Sequence, residues 1–218
     1  MNYAELSMAI SDWLNKDQID KVIPTIIRFG QRDLEDNLRI RPMEYHPATA
    51  TIAAGEDNLA LPSDFLELIY LQLILSGARY PIECRESPLV MYSGRYSTTE
   101  TGLPQAVTRI GDDLFFDVLL DVAYTRDWAY YRRLPVLTSS TTIPQGGVAP
   151  NSNWWSENAE EALLMSCLNK SSLYVTGIQE SDKKKWAEAY ALNLDRLRLR
   201  EARETTGGNV IRSSAWNI

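Results

Sequence analysis

The amino-acid order predicts an α+β protein, a helical bundle built from the N- and C-terminal helices with an antiparallel β-domain inserted between them. Three observations carry this. Apolar residues repeat with helical period before Pro42, with strand period from His46 to Arg132, and with helical period again after Trp154. Neither terminal helical pair can bury its apolar stripe alone, so the two ends of the chain must meet. A Pro/Gly/Ser/Thr-rich stretch from Pro135 to Asn153, with no period of its own, separates the strands from the last helices. The predicted boundaries are 1–42 and 154–206 for the discontinuous bundle, 43–153 for the inserted β-domain with its long loop, and 207–218 for a C-terminal tail.

The first helix is predicted from about Tyr3 to Asn15, where Leu6, Ile10, Trp13 and Leu14 share one face. The second runs from about Ile23 to Arg39, with Pro24 tolerated in its first turn. Ile27, Leu34 and Leu38 form its stripe, and Arg41-Pro42 stops it because a residue before proline leaves the helical region. Ala48, Ala50 and Ile52 then alternate, and Gly55-Glu56-Asp57-Asn58 is turn chemistry before Leu59-Ala60-Leu61. Leu66 to Leu75 reads as a buried strand, with Ser76-Gly77 as a hairpin turn into Arg79 to Cys84. Glu86 to Tyr96 is ambiguous. Gln105 to Ile110, Asp113 to Val118 and Val122 to Arg132 read as a three-stranded meander, turned at Gly111-Asp112 and Leu119-Leu120-Asp121.

After the loop, Asn158 with Glu161 three residues on matches a capping box. Leu163, Leu164, Cys167, Leu168, Ser171 and Tyr174 make the face of that helix, and Gly177 ends it. Ser181 is the predicted cap of the last helix, lined by Trp186, Tyr190, Leu194 and Leu197 and stopped by the residues from Thr205 to Gly208.

Composition excludes several classes. The 218 residues are 44% hydrophobic and 23% charged, an ordinary globular balance, and the formal net charge of -7 argues against a protein that coats DNA. The two cysteines, Cys84 and Cys167, lack metal or redox spacing and form no disulfide framework, which fits synthesis in a reducing cytosol. The first residues lack a basic n-region, and the longest apolar stretch is broken by Glu67 and Gln72, so neither a signal peptide nor a membrane span is expected.

Catalytic chemistry is thin. The single histidine, His46, has no nucleophile elbow to serve. Gly146-Gly147 and Gly207-Gly208 lack the context of a phosphate loop. Glu56-Asp57, Asp112-Asp113 and Glu160-Glu161 are adjacent acids in turns or in a first helical turn, where solvation and the helix dipole explain them. No catalytic, cofactor-binding or metal-binding residue is therefore assigned.

Two clusters rise above this background. Trp128, Tyr130, Arg132 and Arg133, together with Trp154 and Trp155, are side-chain types favoured at interfaces, and they form a candidate subunit or tail contact. The other reading is that they fill the sheet core with the arginines solvated. Arg196, Arg200 and Arg203, with Arg198, crowd the last helix, and Val210, Ile211, Arg212, Trp216 and Ile218 follow on the tail. That tail is either a disordered remnant or a docking arm that orders on a partner.

The series Ala4-Glu5-Leu6 to Asp12-Trp13-Leu14, Ile23-Pro24-Thr25 to Leu38, and Leu61-Pro62-Ser63-Asp64-Phe65-Leu66-Glu67-Leu68 carries a resemblance, continued by Gly102-Leu103-Pro104, Tyr130-Tyr131-Arg132-Arg133-Leu134-Pro135 and Asn153-Trp154. In this order the chain resembles the podovirus-type phage head-to-tail adaptors, the tail tubular protein A-like or gatekeeper-ring proteins, over about residues 2 to 200. The resemblance implies a virion structural protein, made in the host cytoplasm and recruited to the portal vertex as a ring, a dodecamer. The ring would seat the tail nozzle or tube and help retain DNA, which passes through its channel without sequence-specific binding. It implies no enzyme, no cofactor and no membrane partner. It also implies portal binding at the C-terminal end, through Arg196, Arg200, Arg203, Val210, Ile211, Arg212, Trp216 and Ile218. The competing readings are a virion-associated tail or receptor module that binds glycans through the aromatic sheet, and a cell-wall hydrolase using Glu160 or Glu161.

Overall fold

The computed structural model describes residues 1–15, 19–85, 99–139 and 151–205. It is a mixed α+β fold with two compact units, Met1–Arg41 with Leu134–Ile218, and Pro42–Arg133.

The first unit is helical. Helix α1 (Tyr3–Leu14) starts at Asn2, whose side chain and that of Glu5 form a reciprocal capping box. Leu6, Ile10 and Leu14 are buried, whereas Trp13 is 55% exposed. At 100° per residue Trp13 lies at the margin of that stripe, not on it. Helix α2 (Ile23–Asn37) carries Pro24 in its first turn, as predicted. It ends two residues short of Arg39, because Leu38 turns extended (φ -130°, ψ 144°) and lets Leu38 and Ile40 alternate inward, both buried.

Helix α3 (Trp154–Asn158) is capped by Asn153 with Ser156 in the reciprocal position. The predicted box at Asn158 is therefore a correction. Asn158 lies inside the helix and donates to the Trp154 carbonyl at 3.3 Å. Ala159 (φ -142°, ψ 42°) then breaks the path before helix α4 (Glu160–Ser171). Helix α5 (Glu180–Thr205) begins one residue before the predicted cap Ser181.

Helix α4 packs against α1, α2 and α5. Its approach to α2 depends on Gly30. A Cβ there would lie 2.6 Å from Cys167 Sγ and 2.9 Å from the Cys167 backbone nitrogen. Ser166 Oγ, next along α4, donates to the Gly30 carbonyl at 2.8 Å in the same seam.

The second unit is built from strands β1 (Glu44–Tyr45), β2 (Ala50–Ile52), β3 (Asn58–Ala60), β4 (Phe65–Leu75), β5 (Ala78–Pro81), β6 (Glu83–Arg85), β7 (Thr101–Gly102), β8 (Ala106–Ile110), β9 (Asp113–Phe116), β10 (Leu119–Leu120) and β11 (Tyr124–Arg132). One sheet has the order β1-β11-β4-β5, with β2 also on β11, and a second has the order β3-β9-β8-β6. The β4–β5 hairpin turns at Ser76-Gly77, where φ is 50° and 85°, the twist a two-residue hairpin favours.

The predicted meander does not form. Strands β8 and β9 pair, but the far edge of β9 is taken by β3 (Leu59 opposite Leu114), so β11 joins β4 in the first sheet. Leu119-Leu120, predicted as a turn, pairs with β7 instead. The β6–β8 pairing is parallel within an otherwise antiparallel sheet, and β7 with β10 forms a separate two-stranded parallel sheet. The predicted strand from Arg79 to Cys84 is divided at Ile82 between the two sheets, β5 pairing with β4 and β6 with β8. Strand β4 is buried on one face only, leaving Ile69 and Tyr70 exposed. The inward residues Phe65, Leu71, Leu73, Trp128 and Tyr130 pack with Val107, Leu114 and Phe116 into one core. The segment from Glu86 to Tyr96 lies outside the described residues.

Replacing Gly30 with alanine should lower unfolding free energy by about 1–3 kcal/mol, despite alanine's higher helix propensity, because the clash is with backbone. Urea unfolding of the two proteins measures it.

Candidate interaction surfaces

Strand β11 carries the aromatic cluster. Trp128 and Tyr130 are buried, with ring centroids 4.9 Å apart, and Phe65 packs on both. They are core side chains of this chain, as the second of the two readings of the cluster expects. Burial pushes the Tyr130 phenol up to about 12, and the Asp64 carboxylate it donates to at 3.2 Å adds to the shift. Arg132 and Arg133 are half-buried. The Arg132 guanidinium lies 4.4 Å over the Tyr45 ring, and the Arg133 backbone N–H donates to the Asp64 carbonyl at 2.7 Å.

Asp127 alternates with these residues and so points to the other face of the sheet. There it is nearly buried among four donors. His46 Nε2 lies at 2.6 Å, Gln72 Nε2 at 2.5 Å, Arg79 Nη1 at 3.1 Å and Tyr70 Oη at 3.3 Å. Burial raises its pKa, but hydrogen bonds from His46, Gln72 and Tyr70 outweigh this and hold it below the ordinary carboxylate range. His46 is thus a partner of a structural carboxylate.

In the helical unit, Trp155 is buried and Trp154 half-buried, the two rings meeting edge to face at 5.2 Å. Trp155 is therefore also a core residue. Trp154 carries the Arg200 guanidinium at 5.7 Å. Sequence reading missed the group beneath them. Gln31 and Glu35, both fully buried on α2, bond to each other at 2.9 Å. Glu35 accepts from the Leu134 N–H and from Arg32 Nη1, each at 3.0 Å. Gln31 Nε2 donates to the carbonyls of Leu134 and Pro135, each at 3.1 Å, and Gln31 Oε1 accepts from Asn153 Nδ2 at 2.9 Å. The two polar residues stand four apart on the inward side of an apolar stripe, the one signal in the sequence that could have found them.

The arginines of α5 sit in separate settings. Arg196 lies 3.8 Å from Glu161, Arg198 3.3 Å from Asp195, and Arg200 3.0 Å from Glu204, while Arg203 is exposed. Arg41 Nη2 donates to the Glu204 carbonyl at 2.6 Å, where a cation suits the helix end. Arg198 and Glu201 line a groove of about 530 Å³ with Asn37, Leu38 and Arg39. Val210, Ile211, Arg212, Trp216 and Ile218 lie outside the described residues. Glu160 pairs with the Met1 ammonium and Glu161 with Arg196. Adjacent on one helical turn, they diverge by about 100° and do not face each other across a cleft. Among the described residues no group of His, Cys, Asp and Glu could hold a metal ion, and no helix is long and apolar enough to cross a membrane.

A family model described as SU10 adaptor protein matches residues 1–213, and the chain belongs to that family of phage adaptors. This agrees with the head-to-tail adaptor resemblance read from the sequence, and makes the chain a virion component with an adaptor-type structural role. Comparison with curated proteins gives no match.

Two outcomes follow from these sites. Because the folded-state pKa of Asp127 is depressed, its contribution to stability is present above the unfolded value of about 4 and is lost as pH falls through the folded value. Asp127→Asn should flatten the acid limb of stability measured by chemical unfolding between about pH 5 and 2. Glu35→Ala should cost at least about 1–3 kcal/mol by stranding the buried Leu134 N–H, read from the shift in denaturation midpoint.

Proposed function

We propose that this adaptor assembles as a ring, a dodecamer, beneath the phage portal, seats the tail nozzle or tail tube, and helps retain the packaged DNA, which passes through its channel without sequence-specific binding. The observation that carries the reading is the match to an adaptor family along almost the whole chain. The shape of α5 supports it. That helix has 26 residues, about 39 Å, against 12 residues, about 18 Å, in α4. Its buried positions stop at Leu194, and it carries Leu199, Arg200 and Arg203 beyond that point. The portal contact is assigned to this end. Arg200 and Arg203 stand at its root, Arg196 one turn back, and Val210, Ile211, Arg212, Trp216 and Ile218 follow. The subunit or tail contact is left to the half-buried Arg132, Arg133 and Trp154, since Trp128, Tyr130 and Trp155 are core residues.

The test mixes the purified chain with the portal protein of its own phage, full-length beside a version truncated after Gly208. Light scattering and negative-stain images should show a ring stacked on the portal with the full-length chain and a weakened or absent complex with the truncated one. A well-folded portal that takes up neither version would contradict the reading.

A further inference from the structure

We propose that neighbouring subunits join head to tail through α1 of one copy and the outer face of α5 of the next. This rests on the adaptor reading for its ring, though the contact is testable without the portal. On α1, Met8 is 66% exposed, with the exposed acids Glu5 and Asp12 three residues before it and four after. On α5, Leu192 and Leu199 are 53% and 60% exposed, and Arg196 stands between them. At 100° per residue each trio occupies one strip of its helix. Their exposure shows that neither strip covers the other within one chain.

The two strips complement each other. One is an apolar side chain between two acids, and the other is a cation between two apolar side chains, with the exposed Asp195 beside it held by Arg198 at 3.3 Å. Glu5 to Asp12 and Leu192 to Leu199 are both seven residues, about 10.5 Å, so one register seats Met8 between the leucines while Arg196 reaches the two carboxylates. The local partners leave room for this. Glu5 uses one carboxylate oxygen on the Asn2 N–H at 2.7 Å, and Arg196 lies 3.8 Å from Glu161. Different surfaces on the two copies make the contact heterologous, the kind that closes into a ring when its rotation allows.

The experiment mixes two variants, both carrying Cys84→Ser to remove the exposed thiol. One carries Met8→Cys and the other Leu199→Cys, and a short bismaleimide is added at high protein concentration and, separately, on the portal. Covalent dimers should form in the mixture and not with either variant alone. In the mixture without portal, where the portal contact assigned to Arg196 plays no part, Arg196→Glu in the Leu199→Cys chain should lower their yield several-fold, and Asp12→Arg in the Met8→Cys chain should restore it. Rings on the portal that give no mixed dimer would overturn the contact and leave the adaptor reading intact. Mixed dimers without portal binding would do the reverse. Folded variants that give no mixed dimer under either condition would also overturn the contact.

Discussion

Glu35 and Gln31 lie side by side in the centre of α2, fully buried, and their carboxylate and amide serve backbone groups about 100 residues away in the chain. A buried carboxylate is costly unless its lone pairs are occupied, and here Gln31, Arg32 and the Leu134 N–H occupy them. The same amide group holds both ends of the segment that the sequence left without period. Leu134 and Pro135 accept from Gln31 at one end, and Asn153 donates to it at the other. Asn153 in turn caps α3, so the start of the C-terminal helices is set by a side chain of an N-terminal helix. Polar groups satisfied in this way specify one arrangement where an apolar contact would tolerate several.

Around that group the helical unit packs closely. Gly30, one residue from Gln31, brings α2 to the backbone of α4, and α4 also carries α1 and α5. The strand unit is organised differently, by two sheets whose inward side chains share one core and by the long β4–β11 pairing. Its polar counterpart to Glu35 is Asp127, which gathers side chains from β4, β5 and the residue after β1.

Much of this was legible in the residues, and the misses have physical causes. Helical period placed α1, α2 and α5 to within a residue or two but carried α4 on to Tyr174, past its end at Ser171, and Ser76-Gly77 announced its hairpin because positive φ favours such residues there. The assignment of β11 to a meander failed because pairing partners are decided by which sheet edge is vacant, and Leu59 against Leu114 had filled that of β9. Trp128, Tyr130 and Trp155 have the composition of an interface core and of a protein core alike, so residue type could not separate the two. Gln31 and Glu35 were missed because their partners are backbone groups in a distant loop, and nothing local marks those.

Membership of a phage adaptor family, the long helix α5 and the proposed contact between α1 and α5 of neighbouring copies belong to one reading of the protein. The most direct measurement is a cryo-electron microscopy reconstruction of the portal vertex of the mature virion, with this chain identified by fitting side-chain density. The account predicts a closed ring of this chain between portal and tail, α5 pointing toward the portal. A portal joined directly to the tail, with this chain elsewhere in the particle, would contradict it.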